Sequence, residues 1–444
     1  MSATILIKNA TIVNESKRYV SDLLIKDGKI EKIAPNISVA GAYQEIDATG
    51  KWLLPGVIDD QVHFREPGLT HKACIQSEAR AAVAGGVTTF MEMPNTNPPA
   101  TTQALLEDKY AIAAANSVAN YSFFMGVSNT NVEEVLRTNE KKSEVCGIKI
   151  FMGSSTGDML VDNFVTLNKI FSETELLIAT HCEDEKIIAE NKLKYPNPDS
   201  AAFHPLIRDA EACFSSSFTA IQLAKQHNTR LHILHITTEK ELQLFSNMLP
   251  LAEKRITNEV CVHHLHFTAD DYATKGNLIK CNPAIKAASN KEALWKALLD
   301  DRLDIIATDH APHTWEEKQQ PYASAPAGLP LVQHSLSLML SYVEQGAISL
   351  EKVVEKMSHA PAICFQIQDR GFIREGYWAD LVLVNPNNNF EVTKDNILYQ
   401  CAWSPLEGTR FNHTIDMTIV SGNIAYENGK VQDATRGMRL KFNR

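Results

Sequence analysis

From Leu53 onward the chain repeats strand, loop and helix over roughly three hundred residues, and this rhythm limits the possible fold more than any other feature. Strands are predicted at LLPGVIDDQVHF, VTTFMEMP, NYSFFMGV, GIKIFM, LLIATH, RLHILH, RITNEVCV and LDIIATDH. Helices fall between them. The clearest are HKACIQSEARAAVA, capped by Thr70 and stopped at Gly85-Gly86, a helix from about Thr102, and DAEACFSSSFTAIQLAKQH. Such alternation builds a parallel barrel or a doubly wound sheet with a layer of helices.

The two ends of the chain read differently. ILIKNATIV, SDLLIKDGKIEKI and the segment around YQEIDATGKWL alternate apolar and polar residues with turn signals between them. After about Pro361 the same texture returns in GYWADLVLVNP and NHTIDMTIVSGNIAYENGK. The expected organisation is an α/β barrel over residues 53–360, with residues 1–52 and 361–444 forming one small β-sandwich beside it. A chain of 444 residues is long enough for one large unit and a smaller one.

The formal charge of −10 argues against nucleic acid or an anionic membrane surface as main partner, since both attract clustered Lys and Arg. No apolar stretch reaches bilayer length, and MSATILIKNA lacks the regions of a signal peptide. The eight cysteines are scattered without a C-x-x-C pair, as in a cytosolic protein with reduced thiols.

Chemistry gathers at the strand ends. LLPGVIDDQVHFREPG runs from an apolar strand into Gln61, His63 and Arg65, which share one face by their period of two. By itself this stretch is equally well a strand followed by a solvated loop. Five strand ends, however, finish in groups of metal-ligand type: His63, Lys149, His181, His235 and Asp309. In a β/α barrel those ends share one mouth, so a common metal site is expected there. The imidazoles suit Zn²⁺, and Asp309 is a hard anionic donor or a base.

Lys149 alternates with Ile148 and Ile150, and an ammonium cannot ligate a cation. Desolvation and a nearby metal would favour the free amine, which can add carbon dioxide to become a bridging carbamate. The stretch alone favours the simpler reading, a lysine reaching to the barrel rim. Arg65, Asn95 and His313 form a donor set for a substrate carboxylate, although Arg65 could equally pair with Glu66. Cys182, Cys261, His263 and His264 follow no zinc spacing and read as helix-start or core residues.

With these motifs in view, the sequence resembles the amidohydrolase superfamily, and within it the bacterial type of dihydroorotase. DDQVHFREPG, MPNTNPP, GIKIFMGSS, ATH, ILHI, KCNPAIK and ATDHAPHTWEEK each match a family segment, over nearly the whole chain. The resemblance implies a (β/α)8 TIM-type barrel with a terminal β-sandwich and a binuclear zinc site that activates water. It implies reversible closure of N-carbamoyl-L-aspartate to dihydroorotate, a step of pyrimidine biosynthesis. Carried over, it makes carbamylated Lys149 the bridge, His181 and His235 ligands of one metal, and His63 and Asp309 ligands of the other. Asp309 would also be the base. Arg65, Asn95, Asn282, His313, Ala327 and Gly328 would contact substrate. A cytoplasmic homodimer is implied, with association to aspartate carbamoyltransferase as a further possibility.

Arg65 favours a dihydroorotase over allantoinases and hydantoinases, whose substrates lack the ring carboxylate. One position departs from the pattern. The family's first motif is His-x-His, and here Gln61 stands at its first position, offering a poor Zn²⁺ ligand. Another cyclic amidohydrolase, or a catalytically silent partner of aspartate carbamoyltransferase, are the competing readings. The polar segment from His313 to Gly328, without helical or strand periodicity, reads as a lid over the barrel mouth.

Overall fold

The computed structural model describes residues 4–153 and 159–444; Ser154 and Ser155 of GIKIFMGSS lie outside the described residues. Eight strands form the centre: β1 (Val57–Val62), β2 (Val87–Glu92), β3 (Asn120–Gly126), β4 (Gly147–Phe151), β5 (Ile178–His181), β6 (Leu231–Ile233), β7 (Ile256–Cys261) and β8 (Ile305–Ala307). They pair in parallel and in sequence order. The sheet returns on itself where Val62 bridges His310 and the His63 N–H donates to the His310 carbonyl at 2.7 Å. Every residue of β1 to β4 is buried, because helices cover one face and the barrel interior fills the other.

Local signals place most of the helices. Thr102 caps Gln103–Asn116 by accepting from the Leu105 N–H at 3.2 Å. Asp209 caps Ala210–His227, which ends at Asn228 in the left-handed region. The first helix corrects the sequence reading: it spans Ile75–Ala84 and is capped by Cys74, not Thr70. Ser77 and Cys74 satisfy each other's backbone N–H groups, and Glu66 accepts from the Ile75 N–H at 2.9 Å. Thr70 and Lys72 therefore stay in the loop, which lets Lys72 reach the barrel mouth.

Both ends of the chain meet in one nine-stranded sheet. Trp52–Pro55 joins its halves, pairing in parallel with Ile5–Asn14 and antiparallel with Leu381–Asn385. Leu53 and Leu54 thus belong to the terminal sheet rather than to the first barrel strand. The chain passes from one sheet to the other at Gly56, where a Cβ would lie 2.1 Å from Thr88 Oγ1. Leu53 packs with Ile7, Ile25, Leu381 and Met417 in the core of this sheet. The helix Ala360–Phe365 and the C-terminal Leu440 and Phe442 instead pack with Ile58, Phe124 and Ile305, filling the barrel below its mouth. No helix among the described residues is long and apolar enough to cross a membrane, and all eight cysteines are free thiols.

Candidate active site

A cavity of about 280 Å³ opens at the C-terminal ends of the barrel strands. Its lining brings together His63, Lys149, His181, His235 and Asp309, and with them Arg65, Asn95, Asn282, His313, Ala327 and Gly328. Gln61 lines it too, with Phe151, Ala311 and Pro326, which the sequence did not single out. Phe151 was legible as the next inward position after Lys149 on β4.

The nitrogens and oxygens converge as metal ligands do. His63 Nδ1 donates to Asn95 Oδ1 at 2.8 Å, and burial holds the ring neutral by pushing its pKa down. Its bare Nε2 then faces Asp309 Oδ1 at 3.1 Å, two acceptors with nothing to share unless a cation lies between them. His181 Nε2 donates to Glu183 Oε2 at 2.9 Å, which turns Nδ1 towards His235 Nε2 at 3.0 Å. Burial alone would raise the Glu183 pKa, but Arg208, 2.6 Å away, and His181 hold it at about 2. These groups fit a metal pair.

Lys149 does not reach the rim. It is 1% exposed, its ammonium lies 4.4 Å from the centre of the Phe151 ring, and burial pushes its pKa down to about 7. The free amine, the form that adds carbon dioxide, is therefore well populated at neutral pH. Gln61 behaves as a donor rather than a ligand: its Nε2 bonds Asp309 Oδ1 at 3.2 Å, and its Oε1 sits 3.7 Å from Cys261 Sγ.

Three of these residues leave their strand ends in the left-handed region: Arg65 (φ 69°), His235 (φ 41°) and Asp309 (φ 48°). Side chains other than glycine pay in backbone strain there, and such strain gathers at functional sites. The sharp turn is what swings each side chain from the strand end over the cavity.

Part of the lining is cationic. Arg65 Nε donates to the Pro312 carbonyl at 3.0 Å, leaving further guanidinium N–H groups for a ligand carboxylate. Burial and the Arg65 charge keep His313 neutral. His313 Nδ1 lies 3.0 Å from Lys72 Nζ, and its Nε2 lies 3.1 Å from Arg65 Nη2 and 3.0 Å from the Ala327 carbonyl oxygen.

The segment from His313 to Gly328 is pinned where the sequence reads a lid. Thr314 caps a turn of helix at Trp315–Lys318, and Trp403 Nε1 donates to the His313 carbonyl at 2.8 Å. Two lysines clasp it reciprocally. Lys318 Nζ donates to the carbonyls of Lys280, Pro326 and Gly328 at 3.2, 2.9 and 2.9 Å. Lys280 Nζ returns the contact to the carbonyls of Tyr322 and Ala325 at 2.6 and 2.5 Å. Lys318→Met is expected to raise KM by about ten-fold, the loss of roughly one charged hydrogen bond, and to expose residues 319–326 to protease. Unchanged KM and unchanged proteolysis would show that the clasp is ornamental.

Below the cavity lies a group the sequence could not assemble: Asp60, His232 and Glu259, each 0% exposed. Burial works against a charged His232, yet the two carboxylates raise its pKa to about 9. Cys261, His263 and His264, read from sequence as helix-start or core residues, are buried and bring donor atoms within 4.8 Å of one another. Cys182 packs in the main hydrophobic core.

Comparison with known proteins places this arrangement. Residues 52–425 match the amidohydrolase family. The dihydroorotase of Pyrococcus furiosus is 33% identical over 417 residues, covering 94% of this chain and 91% of that protein. The dihydroorotase of a Thermoanaerobacter species is 33% identical over 436 residues, covering 95% and 97%. Among solved structures, the L-hydantoinase (dihydropyrimidinase) of Arthrobacter aurescens superposes with a TM-score of 0.91 at 26% identity, covering 97% of both chains. The dihydropyrimidinase of Brevibacillus agri shares the fold, with a TM-score of 0.89 at 24% identity over 99% of this chain and 100% of that one. The barrel, its strand-end donors and these matches over nearly the full length lead to one conclusion: the chain belongs to the amidohydrolase family.

Proposed function

We propose that this chain is a cytoplasmic dihydroorotase, a metal-assisted hydrolase that opens the cyclic amide of (S)-dihydroorotate to N-carbamoyl-L-aspartate and closes it again. The observation that carries this reading is the Arg65 guanidinium, in contact with His313 and lining the same small cavity as the donor set. A carboxylated cyclic amide needs both sides. The dihydroorotases among the relatives, at 31–33% identity, support it.

In this reading His63 and Asp309 would hold one metal, His181 and His235 the other, and Lys149 as its carbamate would bridge them. Zinc held there supplies Lewis acidity to water and to the ring carbonyl. The protein's own groups do the rest. Arg65 binds the substrate carboxylate, and Asn95, Asn282 and the Ala327–Gly328 backbone orient the ring. The Asp309 carboxylate takes a proton from the attacking water and returns it to the ring nitrogen as the C–N bond breaks. Closure runs the same transfers in reverse.

A steady-state assay with dihydroorotate, hydantoin and allantoin tests the assignment. Turnover of dihydroorotate alone is expected. Preference for either neutral ring would favour the hydantoinase-like reading that the structural neighbours support. No turnover of any, with tight binding to aspartate carbamoyltransferase, would favour a silent partner. A homodimer is expected in solution, and sedimentation equilibrium tests it.

Gln61 gives the sites unequal strength. The His181/His235 site has two nitrogens and an oxygen of the Lys149 carbamate, whereas the His63/Asp309 site lacks its usual further nitrogen. The second metal should therefore leave on dialysis against a mild chelator while the first stays. Gln61→His should retain roughly one more ion per chain under that dialysis and raise activity at low added zinc. Equal metal retention by the unaltered protein and the variant would show that Gln61 is no handicap.

A further inference from the structure

We propose that Asp60, His232 and Glu259 hold a divalent first-row metal ion inside the barrel, beneath the cavity and separate from it. The three project from β1, β6 and β7, and none of them lines the cavity. One donor atom of each lies within 4.8 Å of the other two. His232 Nε2 is 3.3 Å from Asp60 Oδ2 and 3.2 Å from Glu259 Oε2. Donors each about 2.1 Å from one ion, at tetrahedral to octahedral angles, stand about 3.0–3.4 Å apart. These two separations match those of ligands around a shared ion.

Hydrogen bonding leaves the group incomplete. Thr257 Oγ1 turns its own proton towards the Leu231 carbonyl at 3.4 Å and so accepts from His232 Nδ1–H at 2.8 Å. Without an ion the ring keeps a proton on Nε2 as well; giving up that proton on metal binding leaves Nε2 a bare lone pair facing two carboxylates. Glu259 accepts from the His235 N–H at 3.2 Å on Oε1 and from a proton on Nε2 at 3.2 Å on Oε2, whereas Asp60, with Oδ2 3.3 Å from Nε2, has an aligned donor on neither oxygen. A fully buried carboxylate without a donor is costly. A dication answers all three acceptors at once, with Thr257 fixing the ring in the ligating tautomer. Two carboxylate oxygens and an imidazole, with no sulfur, suit Zn²⁺ or Mn²⁺ and offer too few oxygens for Ca²⁺.

This site stands independently of the proposed reaction, and its test avoids activity. The cavity metals are first removed by His181→Asn with His235→Asn and dialysis against a chelator. The protein is then offered Zn²⁺ or Mn²⁺ separately, dialysed again, and its metal counted by mass spectrometry. About one ion per chain should resist the chelator, because its ligands are sealed from solvent, and adding Asp60→Asn should abolish it. No retained ion in the first variant, or an equal count after Asp60→Asn, overturns the proposal. Should Asp60→Asn fail to fold, anomalous diffraction from zinc-loaded crystals of the unaltered protein decides. A peak between the three side chains is expected, and its absence overturns the site.

Discussion

Asp309→Asn is expected to lower kcat by about a thousand-fold, within the range of 10² to 10⁴ that a positioned acid–base group contributes. The substitution isolates the chemistry well. Asp309 sits at φ 48°, and asparagine adopts that left-handed backbone as readily as aspartate, whereas alanine would add strain to the loss. The asparagine amide would also keep a polar partner for His63 Nε2, which stands 3.1 Å from Asp309 Oδ1. Because the same carboxylate is a proposed metal ligand, kinetics should be run with excess zinc and the metal content measured beside them. A metal-loaded variant within ten-fold of the unaltered kcat would remove Asp309 from the proton path.

Arg65→Met should raise KM for dihydroorotate by roughly 30- to 900-fold, about 2–4 kcal/mol for a lost charge-assisted contact, with metal content unchanged. Burial lowers the Arg65 pKa only to about 10, so the guanidinium stays cationic at every working pH. The informative control is a cyclic amide without the carboxylate used as a competitive inhibitor, whose inhibition constant should barely move. A parallel rise in KM for dihydroorotate and in the inhibition constant of the neutral ring would mean that the mutation had deformed the wall, since Arg65 also holds the Pro312 carbonyl. Near-normal binding of dihydroorotate would remove the basis of the substrate assignment.

Much of this was legible because a barrel converts one-dimensional pattern into geometry. Strand ends such as ATH and ATDH are forced to one face whatever lies between them, so His181 and Asp309 could be placed together from sequence. What failed to show were contacts that no period encodes. Lys149 looked like a rim residue, because whether a lysine is sealed in depends on neighbouring strands and on Phe151 beside it. The Cys74 cap was hidden because a thiol is a weak acceptor and the sequence rule prefers Thr70. Beyond the helical turn at Trp315–Lys318 the segment to Gly328 lacks periodicity since Lys280 and Lys318, not a helix or a sheet, satisfy the carbonyls of Tyr322, Ala325, Pro326 and Gly328. Asp60 went unremarked inside the first predicted strand; only closure of the barrel sets it against His232 and Glu259 across the interior.

The left-handed turns at Arg65, His235 and Asp309 set durability against turnover at three positions at once. Glycine would relax each backbone, by an amount on the order of 1 kcal/mol, while deleting the side chain the turn exists to present. A library selected only for survival of heating should therefore drift to glycine at these positions, and one selected for catalysis should hold them fixed. The native protein should accordingly melt below the ceiling its barrel could reach, and stabilising it without losing the reaction means working elsewhere, on the terminal sheet and the outer helices.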